Sequence, residues 1–245
     1  MRCLVRSFFD LLFPPRCSAC GERITDRRLS RALCHVCYEK YRAEVAAGCA
    51  VCGRAYPHCI CHPEPFCPDD FVFALPYNKM DGVCRKLILS CKNRKNRPVM
   101  EEFAVMTVSA AEKRGILEAT PLLTYIPRAP EKAVHTGVDQ AKELGKSIAK
   151  RTGLTLHTLL GHHMLKDDQK NQPYAERASA AEAAYYLLPG AKEKLAGQTV
   201  LLVDDIVTTG ATANACTALL RQAGAKTVIC LAAARSVKSD REFSR

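Results

Sequence analysis

The chain has 245 residues, 48% of them hydrophobic, and a formal net charge of +11. That apolar content excludes a disordered chain and suffices for one large domain or two smaller ones. The positive excess points to anionic partners (phosphates, nucleic acid or acidic protein) and says nothing about fold.

Met1 to Cys17 contains an apolar patch, Phe8 to Phe13, that is broken by Asp10 and too short to span a bilayer. Pro14 and Pro15 follow without a small-residue cleavage site, so neither a signal peptide nor membrane insertion is expected. Of the 14 cysteines, 12 lie between Cys3 and Cys91. In a cytoplasmic chain such clustering reads as metal binding rather than disulfides. Cys17-x-x-Cys20 and Cys34-x-x-Cys37 form two knuckles, which together make one closed tetrahedral thiolate site for zinc. Cys49-x-x-Cys52 with Cys59 and Cys61 makes a second zinc site. Its last pair is Cys-x-Cys, so His58, His62 or Cys67 stays open as a replacement ligand. Cys3, Cys84, Cys91, Cys216 and Cys230 read as buried or free thiols. Two metal sites explain how some sixty residues fold with little hydrophobic core. Met1 to His62 carries ten Lys/Arg against five Asp/Glu, which suits either a docking module or a folding staple with a solvated basic face.

Pro63 to Pro76 reads as a linker running into a strand, placing the domains at residues 1–68 and 69–245. From Cys84 to Arg97 there are six basic residues and no acidic one. This segment starts as a helix with Leu87, Ile88 and Cys91 inward, and its charge suits pyrophosphate, an acidic substrate or a nucleic-acid backbone. Val99 to Arg114 is an amphipathic helix burying Phe103, Ala104, Met106, Val108 and Ala111. Leu122 to Ile126 is a strand that exits through Pro127 to Pro130. Asp139 to Arg151 is a helix stopped by Gly153, and Leu154 to Leu160 is a second strand. Met164 to Ala180 is polar and weakly periodic, which suits a functional loop. Thr199 to Val203 is a third strand, expected to end at Asp204 and Asp205. Thr208, Thr209, Gly210, Ala211 and Thr212 then lead into a helix stopped by Gly224, and Thr227 to Ala234 is a fourth strand. This alternation is a doubly wound α/β sheet that binds ligands at its carboxyl strand ends.

A strand, an acidic pair, a hydroxylated loop and a helix N-terminus together suit a phosphorylated sugar. The segment from Val200 to Thr212 resembles the signature of the type I phosphoribosyltransferases, which bind phosphoribosyl pyrophosphate (PRPP). The order of the whole chain resembles the ComF family, which joins a double zinc ribbon to such a domain. The residues that carry this are the Leu-Leu-Phe-Pro-Pro-Arg-Cys opening at 11–17, the Cys-x-x-Cys pairs, the basic stretch after Tyr77, and Ile126-Pro127. The resemblance implies PRPP bound with Mg²⁺. Asp204 and Asp205 would act as catalytic groups that hold the ribose and offset charge developing at its anomeric carbon. Thr208 to Thr212 would grip the 5′-phosphate. Arg128, Lys132 and the 164–180 loop would contact pyrophosphate. It also implies a link to competence and DNA uptake, with competence-machinery proteins as partners.

Two family positions are altered. Thr136-Gly137-Val138-Asp139-Gln140 replaces Arg-Gly-x-Asn-Gln, and Ala180 stands where an Asn follows Gln169 and Arg177. Both lie where the family closes over pyrophosphate, and losing a bidentate guanidinium weakens an anion site. Two functions stay open: a transferase of unassigned acceptor, or a non-catalytic adaptor binding single-stranded DNA through its zinc module and the 84–97 stretch.

Overall fold

The computed structural model describes residues 14–49, 52–77, 82–91, 96–119, 121–131, 134, 137–163 and 183–236. Its centre is a parallel four-stranded sheet in the order β1-β6-β5-β2, formed by β1 (Asp70–Tyr77), β6 (Thr227–Ser236), β5 (Thr199–Val207) and β2 (Leu122–Tyr125). Every neighbouring pair is parallel, with Leu201 opposite Ile229 and Leu122 opposite Val200. A parallel sheet is covered on both faces, so its strands are apolar throughout instead of alternating. Val200, Leu201, Leu202 and Val203 are accordingly all buried.

Side chains of successive strand residues part to opposite faces. Leu201, Val203 and Leu231 pack with α2 (Val83–Cys91), α3 (Arg97–Glu112) and α4 (Gln140–Thr152). Val200, Leu202 and Cys230 pack with α5 (Ala191–Leu195) and α6 (Ala211–Gln222). The helix after β2 thus covers one face and the helix after β5 the other. Adjacent strands whose connections diverge open a crevice at their carboxyl ends.

The helix ends follow local rules. Pro98 stands in the first turn of α3. Asp139 caps α4 by accepting from the Lys142 amide, and Gly153, at φ 75°, closes it in the left-handed region. The 84–97 segment begins as the expected helix, with Leu87, Ile88 and Cys91 buried. The helix expected at 99–114 forms from Arg97 to Glu112.

Two strand expectations need correction. Leu154 to Leu160 is not a second full strand of the sheet. Leu156 makes a single parallel bridge to Leu123 at the edge. The chain then turns into an antiparallel pair, β3 (Leu160–His162) with β4 (Tyr185–Leu187). The third strand does not end at the acidic pair either. It continues to Val207, because β6 offers small residues as partners, Ala232 to Asp204 and Ala234 to Ile206.

The cysteine-rich segment contributes α1 (His35–Ala46) and a 3-10 turn at Tyr56–His58. It is built into the core. Leu33, Tyr41 and Val45 share one apolar cluster with Leu87, Phe103 and Leu201. Glu44 of α1 accepts from the Val83 and Cys84 amides at 2.7 and 2.9 Å, which caps α2 from across the junction. Among the described residues no helix is long and apolar enough to cross a membrane.

Candidate functional site

A cavity of about 340 Å³ opens at the carboxyl ends of β2, β5 and β6, in the size range of small-ligand sites. Asp204, Asp205, Thr212, Arg128, Asp139 and Gln140 line it. The acidic pair therefore stands on strand rather than in the loop. Asp204 Oδ1 accepts from the Asp205 amide and Asp205 Oδ1 from the Ile206 amide, both at 2.8 Å. Asp204 is buried, and Asp205 is half-buried. Burial, then the neighbouring Asp205 charge, hold the Asp204 carboxyl well above the usual carboxylate range.

After Val207 the chain turns through the exposed Thr208 and Thr209 to Gly210 at φ 80°. Only glycine adopts that angle without strain, and space forbids a side chain too. A Cβ at Gly210 would lie 2.9 Å from the Phe66 ring. Gly210 O accepts from the Asn214 amide at 2.8 Å and starts α6, whose first turn carries no acidic residue. The free amides and dipole of that turn face the same end of the sheet as the carboxylates. Thr209 Oγ1 accepts from the Ala211 amide at 3.4 Å.

The opposite wall comes from the exit of β2. The Arg128 amide donates to Asp139 Oδ2 at 3.1 Å, and its guanidinium donates to Gln140 Oε1. Gln140 Nε2 donates to Cys91 O at 3.0 Å. Arg128 is thus aimed by the start of α4. The altered Asp139 has a structural task as both helix cap and loop clamp.

The floor holds residues that sequence reasoning missed. Tyr185 and His162 reach the cavity from the β3–β4 pair, their rings edge to face at 4.8 Å. Burial raises the Tyr185 hydroxyl, and Thr212 shares a hydrogen bond with it. Strands of three residues leave no periodicity to detect. Ile88, Leu89, Met100 and Phe103 make an apolar side. From α2 the cavity meets Ile88 and Leu89, not Arg85 or Lys86. Lys132, His135, Thr136, the 164–180 loop, and Lys92, Arg94 and Lys95 of the basic stretch lie outside the described residues.

The cysteines gather as the spacing suggests. The sulfurs of Cys17, Cys20, Cys34 and Cys37 lie within 4.8 Å of one another, and so do those of Cys49, Cys52, Cys59 and Cys61. Cys20 and Cys34, and Cys52 and Cys59, stand 3.6 Å apart. Tetrahedral zinc at thiolate bond lengths needs about 3.8 Å, so both clusters fit a structural zinc ion. The Gly21 amide donates to Cys17 O and the Gly53 amide to Cys49 O, which closes each knuckle. The amide of Arg54 leads in drawing the Cys52 thiol down to about 7. Burial opposes ionisation of Cys17, yet the amides facing it, Cys34 first, bring it to about 7. Burial holds the Cys20, Cys37, Cys59 and Cys61 thiols up, so each cluster sets a lowered thiol beside raised ones whose protons a bound metal would displace. His58, His62 and Cys67 stand outside the second cluster. Cys84, Cys91, Cys216 and Cys230 are buried and in no disulfide, and Cys3 lies outside the described residues.

Fold and site together define a parallel α/β domain with an acid-lined cavity at its strand ends, joined to a two-cluster thiolate module. Comparison with known families specifies both halves. A phosphoribosyl transferase domain model matches residues 151–244, and a double zinc ribbon domain model matches residues 8–70. The chain thus combines a double zinc ribbon with a phosphoribosyltransferase-type core. No curated protein sequence matches it. Among solved structures it is similar to an allosteric regulatory enzyme of purine biosynthesis, at 19% identity and a TM-score of 0.41, covering 61% of this chain and 30% of that one. It is also similar to a glutamine PRPP amidotransferase from B. subtilis, at 18% identity and 0.40, covering 60% and 30%. A third is a purine phosphoribosyltransferase from Pyrococcus horikoshii Ot3, at 18% and 0.32, covering 56% and 84%. The chain spans less than a third of the length of the first two.

Proposed function

We propose that the cavity binds PRPP together with Mg²⁺ and transfers its phosphoribosyl group to an acceptor. The observation that carries this is the convergence of Asp204, Asp205, Thr212 and Arg128 on one cavity beside a glycine-capped helix start. In this reading Thr208 to Thr212 hold the 5′-phosphate through loop amides and hydroxyls. Asp204 and Asp205 accept from the ribose hydroxyls and offset charge developing at the anomeric carbon as pyrophosphate departs. Arg128, steadied by Gln140, faces the pyrophosphate. Three carboxylates line the cavity (Asp139, Asp204 and Asp205), and Arg128 is the one Lys or Arg on it among the described residues. So acidic a lining favours a polyphosphate only when a divalent cation accompanies it. Bound there, Mg²⁺ would supply charge neutralisation of the leaving group.

The test is a PRPP titration with and without Mg²⁺, followed by a pyrophosphate-release screen over nucleobases and amines. Mg²⁺-dependent binding is expected. Binding indifferent to the metal would sink the reading of the carboxylates.

The order of the modules, with boundaries at 1–68 and 69–245, supports placing the chain with the ComF family, in the cytoplasm, in a role linked to competence and DNA uptake alongside competence-machinery proteins. A second reading, the nucleic-acid adaptor, has its own observation. A groove of about 990 Å³ runs between the first zinc knuckles, α3 and α4. Seven cations line it, including Arg27, Arg28, Lys150 and Arg151, against four carboxylates. Two of the acids pair with Arg31 and Lys146. Single-stranded DNA affinity that falls steeply with salt, and more gently in Lys150→Glu/Arg151→Glu, is expected on this reading. No binding at low ionic strength would remove it.

A further inference from the structure

The second cysteine cluster is fastened to the phosphate loop. Cys61 is its last ligand, and the strap that follows, residues 61–67, is tied down at several points. Arg235 of β6 donates to Cys61 O at 2.8 Å. Asn214, in the first turn of α6, donates to Pro65 O at 2.9 Å and accepts from the Cys67 amide at 2.7 Å. The backbone amide of the same Asn214 closes the loop onto Gly210 O. Phe66 stacks on His62, with centroids 5.4 Å apart, and packs on Phe71 at 5.2 Å. Its ring fills the space over Gly210 that a Cβ would enter. The first cluster is anchored elsewhere, with Ser18 bonded to Asn96 at the start of α3.

We propose that the second cluster is a positioning element for the phosphate loop: zinc held by Cys49, Cys52, Cys59 and Cys61 fixes the 61–67 strap, and the strap, through Asn214 and Phe66, holds Thr208 to Thr212 in their anion-binding shape. This rests on the reading of that loop as the sugar-phosphate site. Its consequence is an asymmetry between the two clusters. Zinc at the second supports ligand affinity, whereas zinc at the first supports folding of the module and its groove. Asn214 and Phe66 act through the loop rather than on the ligand, and an ordered loop binds an anion without the cost of ordering it first.

The experiment compares wild type with Asn214→Ala, Phe66→Ala, Phe66→Leu, Cys61→Ser and Cys20→Ser. Four quantities are read: zinc content, melting temperature, amide hydrogen exchange over 208–214, and PRPP affinity with Mg²⁺. Asn214→Ala is expected to keep both zinc ions, to exchange faster in the loop, and to bind PRPP about tenfold more weakly, as fits two lost hydrogen bonds. Phe66→Ala does the same, and Phe66→Leu recovers most of the loss. Cys61→Ser loses one zinc and shows the same loop exchange. Cys20→Ser loses one zinc with loop exchange unchanged. Wild-type loop exchange in both Asn214→Ala and Cys61→Ser overturns the proposal. So does a Cys20→Ser protein whose loop loosens as much as that of Cys61→Ser. Should wild type fail to bind PRPP, the sugar-phosphate reading falls, while loop exchange still decides the coupling.

Discussion

Asp204→Asn is expected to make the ligand-free protein more stable while removing its ligand. The side chain is buried on β5, and its carboxyl is raised well above the ordinary 3.8, by burial first and by Asp205 second. Well below pH 3.8 the carboxyl is protonated both folded and unfolded, and it contributes no pH dependence. As pH rises further the unfolded chain releases the proton while the folded one keeps it, so stability is lost progressively until the folded carboxyl ionises. Asparagine has the same shape, keeps the oxygen that accepts from the Asp205 amide, and cannot ionise. It escapes that loss, which is worth about 1–3 kcal/mol for a buried polar group without full compensation. For a chain of this size that raises the melting temperature by about 2–10 °C. The assay is thermal unfolding of both proteins from pH 4 to pH 8, without ligand or Mg²⁺. The curves should converge toward pH 4 and separate as pH rises, with the variant above. A variant equal to or below wild type at neutral pH, or a gap that ignores pH, refutes the reasoning that this carboxylate is strained for binding.

Other expectations follow from the same structure. Gly210→Ala forces a left-handed residue against Phe66 and should cost about 1–3 kcal/mol, read by chemical denaturation. Glu44→Ala removes both side-chain acceptors for the start of α2 and should cost about 1–2 kcal/mol, with exchange quickening at Val83 and Cys84. Strong chelation of zinc should lower the melting temperature of the whole chain, because Leu33 and Tyr41 share a cluster with Phe103 and Leu201. A transition confined to the first seventy residues would contradict that shared core.

The site was largely legible where chemistry is written locally. The apolar run from Val200, the acidic pair, the glycine after two threonines and the paired cysteines each occupy a short stretch. Each admits few physical readings; the structure brings Asp204, Asp205, Thr212 and Arg128 to one cavity and the cysteines into two clusters, while Thr208 to Ala211 stand outside the cavity lining. What stayed hidden was non-local. The alternation of Leu154 and Leu156 reads as a strand, yet the chain leaves the sheet after one bridge because Leu160–His162 pairs with Tyr185–Leu187, more than twenty residues away. The ladder through Asp204 and Asp205 depends on small residues of β6 that no window around the pair contains. Tyr185 gave no signal of its own. The same holds for Asn214, an ordinary polar residue on a helix until Pro65 and Cys67 are brought beside it. Seen alone, the cysteine pairs announce a separate module. The junction through Glu44 and the strap at 61–67 make that module part of the site's support.

The central claim is that Asp204 and Asp205 face a PRPP–Mg²⁺ complex. Calorimetric titration of PRPP into wild type and Asp204→Asn/Asp205→Asn, each with its zinc retained and Mg²⁺ in excess, tests it most directly. The account predicts binding by wild type and a loss of about a hundredfold or more in the double variant, as fits the removal of two charged acceptors. Equal affinity in the two proteins would contradict it.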